Sequence, residues 1–186
     1  TMVSVASWSL PRPRRNGPPY YSKSNVVMVL EQVGVLLELK GANPFRVRSY
    51  QNASRTLGGL EDDLWTVTSE ENLTDVKGIG KGIAGLITEA LTEGTWGDIG
   101  ELYTSVPAGL IAMLAIPGLG PKRIKQFHDE LGIESIEQLR VAGESGHLRE
   151  LDRMGEKSEQ KVLDGIELLK RFSGRRRLDI GLLYGE

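Results

Sequence analysis

Two short segments of this 186-residue chain repeat one pattern, and they constrain its fold more than any other feature. Their sequences are VKGIGKGIA at residues 76–84 and IPGLGPKRI at residues 116–124. In each, an apolar residue precedes glycines at positions i and i+2, and a basic residue follows near the start of a second helix. This order is typical of a tight hairpin between two helices. Because glycine has no Cβ, a large ligand can approach the backbone there, and the N–H groups that begin the second helix suit a phosphate.

The repetition carries more weight than either copy. One Gly-x-Gly turn usually does no more than join two helices. Here Gly118 follows Gly78 by 40 residues, with apolar residues in register on both sides. A weaker third copy, LDRMGEK at residues 151–157, keeps the second glycine as Gly155 but has Arg153 in place of the first. Self-similarity at this period indicates an array of helical units.

Hydrophobic periodicity predicts an all-α fold. Apolar residues recur every three or four positions from Ser24 to Leu39 and from Ser158 to about Phe172, and no segment alternates with period two for the length of a strand. Asn43 and Pro44 predict the cap and first residue of another helix, whose Phe45 and Tyr50 are available to the core.

Composition shifts divide the chain into four parts. The first contains prolines, arginines and serines without periodicity and is predicted to be disordered. Two compact helical domains, each built around helix–hairpin–helix motifs, are predicted to meet near residues 94–106. The parts are a leader at 1–23, a small domain at 24–94, a helical subdomain at 95–178 and a tail at 179–186.

The formal net charge is −2, which conceals an uneven distribution of charge. The first 23 residues carry four basic residues and no acid, and the three hairpin segments each carry a lysine at or beside the turn. Any contact with DNA is therefore expected to be local. The chain has no cysteine and two histidines, so thiolate sites are excluded and zinc sites are not expected. The longest apolar stretch, 26–39, is interrupted by charged residues, so we expect no membrane span and a cytoplasmic protein.

Four motifs together carry a family resemblance. They are LLELKGANPFRVRSY at 36–50, GIGKGIA at 78–84, VPAGL at 106–110 and IPGLGPK at 116–122. In this order and spacing the chain resembles, over residues 26 to about 178, the N-terminal region of bacterial and archaeal family X DNA polymerases. The resemblance implies a small domain that grips the downstream 5′-phosphate of gapped DNA, followed by a helical subdomain that holds the duplex, in gap-filling repair.

The resemblance also implies which residues contact DNA. Arg46 and Tyr50 fall where the family lines its 5′-phosphate pocket, with Lys81 as a neighbour. An arginine can hold a phosphate bidentately, although an arginine on an exposed helix is by default only solvated. The full predicted set comprises residues of the second helix and of the two glycine hairpins: Arg46, Tyr50, Gly78, Gly80, Lys81, Gly82, Gly118, Gly120, Lys122, Arg123 and Lys125.

A monovalent cation, Na⁺ or K⁺, is a further implication of the resemblance. In the family, main-chain carbonyls of the hairpins hold such an ion and bridge the protein to a DNA phosphate. By position the carbonyls would belong to two sets of three residues: Thr74, Val76 and Ile79, and Leu114, Ile116 and Leu119.

Two departures from the family pattern bear on catalysis. Leu86 stands where eukaryotic relatives have the lysine nucleophile of a lyase, and leucine has no amine to form an imine. The palm, with paired aspartates for two metal ions, is expected just after Arg177, and only Asp179 follows. We therefore expect no catalytic residue within these 186 residues, and a palm domain or catalytic partner elsewhere. The alternatives are a stand-alone DNA-binding adaptor and a protein-interaction module whose hairpins are structural turns.

Overall fold

The regular secondary structure of the described residues is entirely helical. A computed structural model describes residues 8–69 and 71–184, with side chains as far as Ser173 in the last helix. These residues contain no β-strand, which confirms the all-α prediction. The α-helices are α1 Lys23–Leu39, α2 Pro44–Gly58, α3 Leu64–Ser69, α4 Lys81–Glu93, α5 Ile99–Ser105, α6 Ala108–Met113, α7 Pro121–Leu131, α8 Ile136–Glu144 and α9 Glu156–Tyr184, with 3₁₀ turns at Leu73–Asp75 and Leu148–Glu150.

Two compact units divide the chain between Val106 and Pro107. The sequence predicted a boundary at 94/95, and this division lies 12 residues later, so that α5 belongs to the first unit. That helix packs on α1, and the Tyr103 hydroxyl donates a hydrogen bond of 2.7 Å to Oε1 of Gln32 on α1. Burial raises the pKa of Tyr103, so its hydroxyl remains a neutral donor. The contact attaches α5 to the first unit.

Helices α1 and α2 form the core of the first unit. Val26, Val29, Leu30 and Val33 of α1 are fully buried. Gly34 of α1 faces α2, and a Cβ there would lie in ordinary van der Waals contact, 3.4 Å from Cγ of Gln51. As predicted, α2 begins at Pro44, where the Phe45 N–H donates to Oδ1 of Asn43 at 2.8 Å.

The leader requires a correction. Residues 8–22 form no helix, but they pack against the first unit, so the prediction of disorder does not hold for them. Tyr21 is buried: its ring centroid lies 5.3 Å from that of Trp96, and its hydroxyl donates to the Gly94 carbonyl at 2.8 Å. The Tyr20 N–H donates to the Leu91 carbonyl at 3.1 Å. Aromatic burial at its end thus orders a segment whose composition is otherwise polar and proline-rich; residues 1–7 lie outside the described range.

In the second unit, helices α6 to α9 surround an apolar core. Phe127, Ile124, Leu139 and Leu148 are fully buried. Helix α8 opens with a side-chain cap, since the Gln138 N–H donates to Oγ of Ser135 at 3.1 Å. No described helix is long and apolar enough to cross a membrane.

Candidate nucleic-acid interface

Three hairpins have the same backbone hydrogen bonds. We call residues 76–80, 116–120 and 151–155 hairpins 1, 2 and 3. In each, the N–H of the fourth residue donates to the carbonyl of the first, at 3.1, 3.2 and 3.0 Å, respectively. The carbonyl of the fifth residue then accepts the first bond of the following helix, from Ala84, Ile124 and Glu159. The weak third copy in the sequence is therefore confirmed as a hairpin of the same geometry.

The third residue of each hairpin adopts a left-handed conformation. The φ angles are +98° at Gly78, +81° at Gly118 and +60° at Arg153. Such a conformation costs a residue with a Cβ about 1–2 kcal/mol. The first glycine of the motif is thus explained by backbone conformation, and hairpin 3 retains the conformation despite its arginine.

The fifth residue of each hairpin is a glycine that the fold does not require. Gly80 has φ −84° and Gly120 has φ −105°, which any residue can adopt. A Cβ at Gly80, Gly120 or Gly155 would meet nothing within 4 Å. The first two are helix N-caps without a side-chain cap, where serine or aspartate would stabilise the helix better. What glycine provides here is exposed backbone at a helix N-terminus.

The predicted basic residues separate into two groups. Lys81 and Lys122 are exposed, and neither forms an ion pair with an acidic residue of the described chain. Lys125 instead pairs with Asp129. Arg123 donates to Oε1 of Gln126 at 3.0 Å. The charge of Lys125 is therefore compensated within the described chain. Lys81 and Lys122 remain available to a ligand, and the guanidinium of Arg123, held by a neutral amide, also keeps its charge.

The structure does not bring Arg46 and hairpin 1 into contact. Gly78 faces Thr56 near the end of α2, where a Cβ would lie 2.8 Å from Thr56 Oγ1. Arg46 lies ten residues earlier, about 15 Å along the helix axis and farther than an arginine side chain extends. Arg46 is exposed, whereas Tyr50 is 9% exposed and forms part of the core. Arg46 and the amides of Gly80–Gly82 therefore do not form one site, contrary to the prediction that they are neighbours.

Phe45 is a surface residue that the sequence prediction assigned to the core. Its side chain is 75% exposed, and the Arg48 guanidinium carbon lies 5.9 Å from the ring centroid. The buried residues of α2 are Val47, Tyr50, Ala53, Ser54 and Leu57, at helical spacing, and Phe45 lies off this stripe. The helical spacing of the apolar residues in the sequence could therefore have predicted that Phe45 is exposed. An exposed aromatic ring beside an arginine can stack on a nucleobase.

The carbonyls predicted to bind a cation are partly used by the hairpins. Val76 and Ile116 each accept a hydrogen bond within their own hairpin. A carbonyl has a second lone pair, so this bond does not prevent coordination. Leu114, Ile116 and Leu119 line one open surface depression. The cation stays a prediction.

A buried carboxylate holds hairpin 3 in place. Glu159 of α9 is 3% exposed and accepts three hydrogen bonds from Arg149, which lies just before the hairpin. They come from the backbone N–H at 2.9 Å and from Nε and Nη2 at 3.1 and 2.8 Å. The guanidinium hydrogen bonds lower the pKa of Glu159 below its ordinary value of 4.5, against the opposing effect of burial.

We expect Glu159→Gln to lower the free energy of unfolding by about 1–2 kcal/mol at neutral pH, because it removes charge-assisted bonds. A carboxylate whose pKa is depressed by folding stabilises the protein above its unfolded pKa, and this contribution is lost as the pH falls through the folded pKa. The difference in free energy of unfolding between variant and parent should therefore become smaller below about pH 4.5. Urea denaturation over a pH series measures it. Glu167→Gln, an exposed position on the same helix, is the control, and a pH-independent difference would contradict the assignment.

Comparison with known proteins agrees with this geometry. Residues 22–96 match the family described as helix-hairpin-helix domain, and residues 110–167 match the family described as SAM-like helix-hairpin-helix tandem. The chain is 35% identical over 144 residues to the DNA polymerase/3′-5′ exonuclease PolX of Bacillus subtilis (strain 168). Both matched segments are thus of helix-hairpin-helix type, and the chain matches the N-terminal region of this family X DNA polymerase.

The helix-hairpin-helix match and the three hairpins coincide. Hairpin 1 lies in the first matched segment, and hairpins 2 and 3 lie in the tandem. The alignment with PolX covers 77% of this chain but 25% of the relative, so the chain spans about a quarter of that protein's length. Leu86, which is predicted to replace the lyase lysine of eukaryotic relatives, is half-buried in α4 of the first segment.

Proposed function

We propose that this chain binds DNA by contacting backbone phosphates at its hairpins. The observation that carries the proposal is the open glycine at the start of α4 and α7. Neither conformation nor packing requires glycine at Gly80 or Gly120. A side chain there would cover the first N–H groups of the helix, which bind anions well. The PolX relative is named as a DNA polymerase, which supports DNA as the anion.

In this proposal the contacts select DNA structure and not base sequence. The hairpins offer backbone N–H groups, and Lys81 and Lys122 add attraction for phosphate. Such contacts read the spacing of phosphates at nicks, gaps and 5′-phosphorylated ends. We infer gapped DNA with a downstream 5′-phosphate as the substrate, bound during gap-filling repair, with Na⁺ or K⁺ bridging hairpin carbonyls to phosphate. Nucleotidyl transfer would come from a palm domain or catalytic partner.

Phe45 adds a second component of the proposed interface. Its exposed ring lies beside Arg46 and Arg48 at the start of α2. Stacking of a base on an aromatic ring contributes about 1–3 kcal/mol and tolerates any base. An unpaired base opposite a gap has a free face for such stacking. The position of Phe45 thus favours gapped over fully paired DNA.

The proposal is tested by the 5′-phosphate itself. We expect gapped DNA with a downstream 5′-phosphate to bind more tightly than the same DNA with a 5′-hydroxyl. Arg46→Ala should reduce this preference by about 1–2 kcal/mol, the contribution of one charge-assisted contact. Fluorescence anisotropy with both substrates measures the preference.

Arg55→Ala, another exposed arginine on α2, is the matched control and should leave the preference unchanged. Equal affinities of the parent for the two substrates would contradict the 5′-phosphate proposal. Absence of binding to any DNA would favour a protein-interaction module.

A further inference from the structure

Residues 8–22 form an ordered segment, here called the arginine strap, on the first unit. Several contacts hold it against the end of α4 and the turn that follows. A Cβ at Gly94 would lie 3.3 Å from the Tyr20 ring and 3.4 Å from Cβ of Pro13, and Leu10 lies near Gly100. Together with the burial of Tyr21, these contacts fix both halves of the strap. It precedes the segment that matches the helix-hairpin-helix family at 22–96.

The strap presents Arg14 and Arg15 on a closed loop, and Arg12 lies just before it. The Arg14 N–H donates to the Tyr20 carbonyl at 2.8 Å and closes residues 14–20, which include Pro18 and Pro19. The two prolines reduce the number of conformations open to the unfolded segment, and the anchored ends reduce the motion of the folded segment. A charged loop that is already ordered loses less entropy on binding than a free tail does.

The positive charge of the strap is uncompensated. Arg12, Arg14 and Arg15 are exposed, and the chain has no acidic residue before Glu31. None of the three forms an ion pair with any acidic side chain in the described part of the protein. By contrast, Arg140 and Arg149 of the second unit are each paired with glutamates. Three unpaired guanidinium groups on one short segment fit a polyanion with regularly spaced charges.

We propose that the arginine strap is a second phosphate-binding surface for duplex DNA, independent of the hairpins. The inference rests on the proposed function, because DNA is the polyanion that the hairpins are proposed to bind. Hairpin 1 precedes Lys81 at the start of α4, and the strap contacts Leu91 near its end. The 13-residue helix spans about 20 Å, or roughly six base-pair steps. A duplex that runs along α4 would contact both surfaces.

The test is the salt dependence of binding to a duplex of about 20 base pairs. The triple variant Arg12→Ala, Arg14→Ala, Arg15→Ala should lower the salt slope by about two to three units. Between about 50 and 200 mM salt, a fourfold rise, the variant should therefore lose less affinity than the parent by a factor of roughly 15 to 60. The melting temperature should not change, because these side chains are exposed. The corresponding triple lysine variant keeps the charge and should keep the slope.

Two further variants separate the possible results. Arg140→Ala removes a cation that is already paired with Glu137 and Glu144, and it should leave the salt slope unchanged. If the slope instead falls by as much per charge removed as in the triple alanine variant, the proposal that the strap contacts DNA locally is overturned. A triple alanine variant that binds like the parent, while Gly80→Asp in hairpin 1 weakens binding, would overturn the strap and leave the hairpin proposal intact. A parent that binds no duplex would overturn both.

Discussion

Gly109→Ala should prevent the second unit from folding stably. A Cβ at Gly109 would lie 1.6 Å from the Glu134 carbonyl oxygen and 2.7 Å from its carbon, much closer than atoms can approach. The opposing atoms belong to the backbone before α8, so relief requires moving the helix and not one flexible side chain. We expect a loss of about 3 kcal/mol or more in the free energy of unfolding, because overpacking against rigid groups lies at the upper end of such effects.

Urea denaturation followed by circular dichroism measures this loss. Gly85→Ala in α4 is the matched control, since a Cβ there meets nothing within 4 Å in a helix interior. That control should stabilise the protein by roughly 0.5–1 kcal/mol, because alanine favours a helix more than glycine does. A Gly109→Ala variant as stable as the parent would show that α6 does not pack against residue 134 in solution.

Replacing the open glycines with aspartate should change stability and DNA affinity in opposite directions. In the double variant Gly80→Asp and Gly120→Asp, each carboxylate can cap the first turn of its helix and interact favourably with the helix dipole. The open space around both positions accommodates the new side chains. We therefore expect each substitution to raise stability by roughly 0.3–1 kcal/mol.

The same carboxylates would occupy the place of the phosphate and repel it. We expect the double variant to bind gapped DNA at least roughly tenfold more weakly, since a charge-assisted contact contributes about 1.5–3 kcal/mol. Thermal unfolding and anisotropy on one preparation measure both effects. Gly85→Asp, exposed on α4 away from the hairpin, controls for the added negative charge. Parental affinity in the double variant would mean that the hairpins are structural turns only.

Local features of the fold were predictable because they depend on a few neighbouring residues. The Asn43 cap, the left-handed Gly94 after α4 and the Ser135 cap each follow from the conformational limits and hydrogen bonds of one turn. Hairpin 3 was predictable from its similarity to the other two, even though Arg153 replaces glycine. Repetition in the sequence therefore predicted the backbone of the interface.

Other features depend on contacts between residues far apart in the chain. The Tyr21–Gly94 bond joins residues 73 positions apart and orders the strap, and the Tyr103–Gln32 bond joins residues 71 apart and assigns α5 to the first unit. The sequence near a tyrosine does not indicate which distant residue its hydroxyl will contact in the folded protein. For the same reason, proximity could not be deduced for Arg46 and hairpin 1, which the structure places at opposite ends of α2.

By itself, the sequence determined that the chain is helical, where α1 ends and α2 begins, and that three turns share one geometry. These properties follow from backbone sterics and side-chain periodicity within each segment. Only the tertiary structure decided which glycines are needed. Gly109 faces a backbone oxygen from a later segment, whereas Gly80 and Gly120 face open space. A glycine looks the same in any sequence, and the atoms around it come from segments that folding brings together.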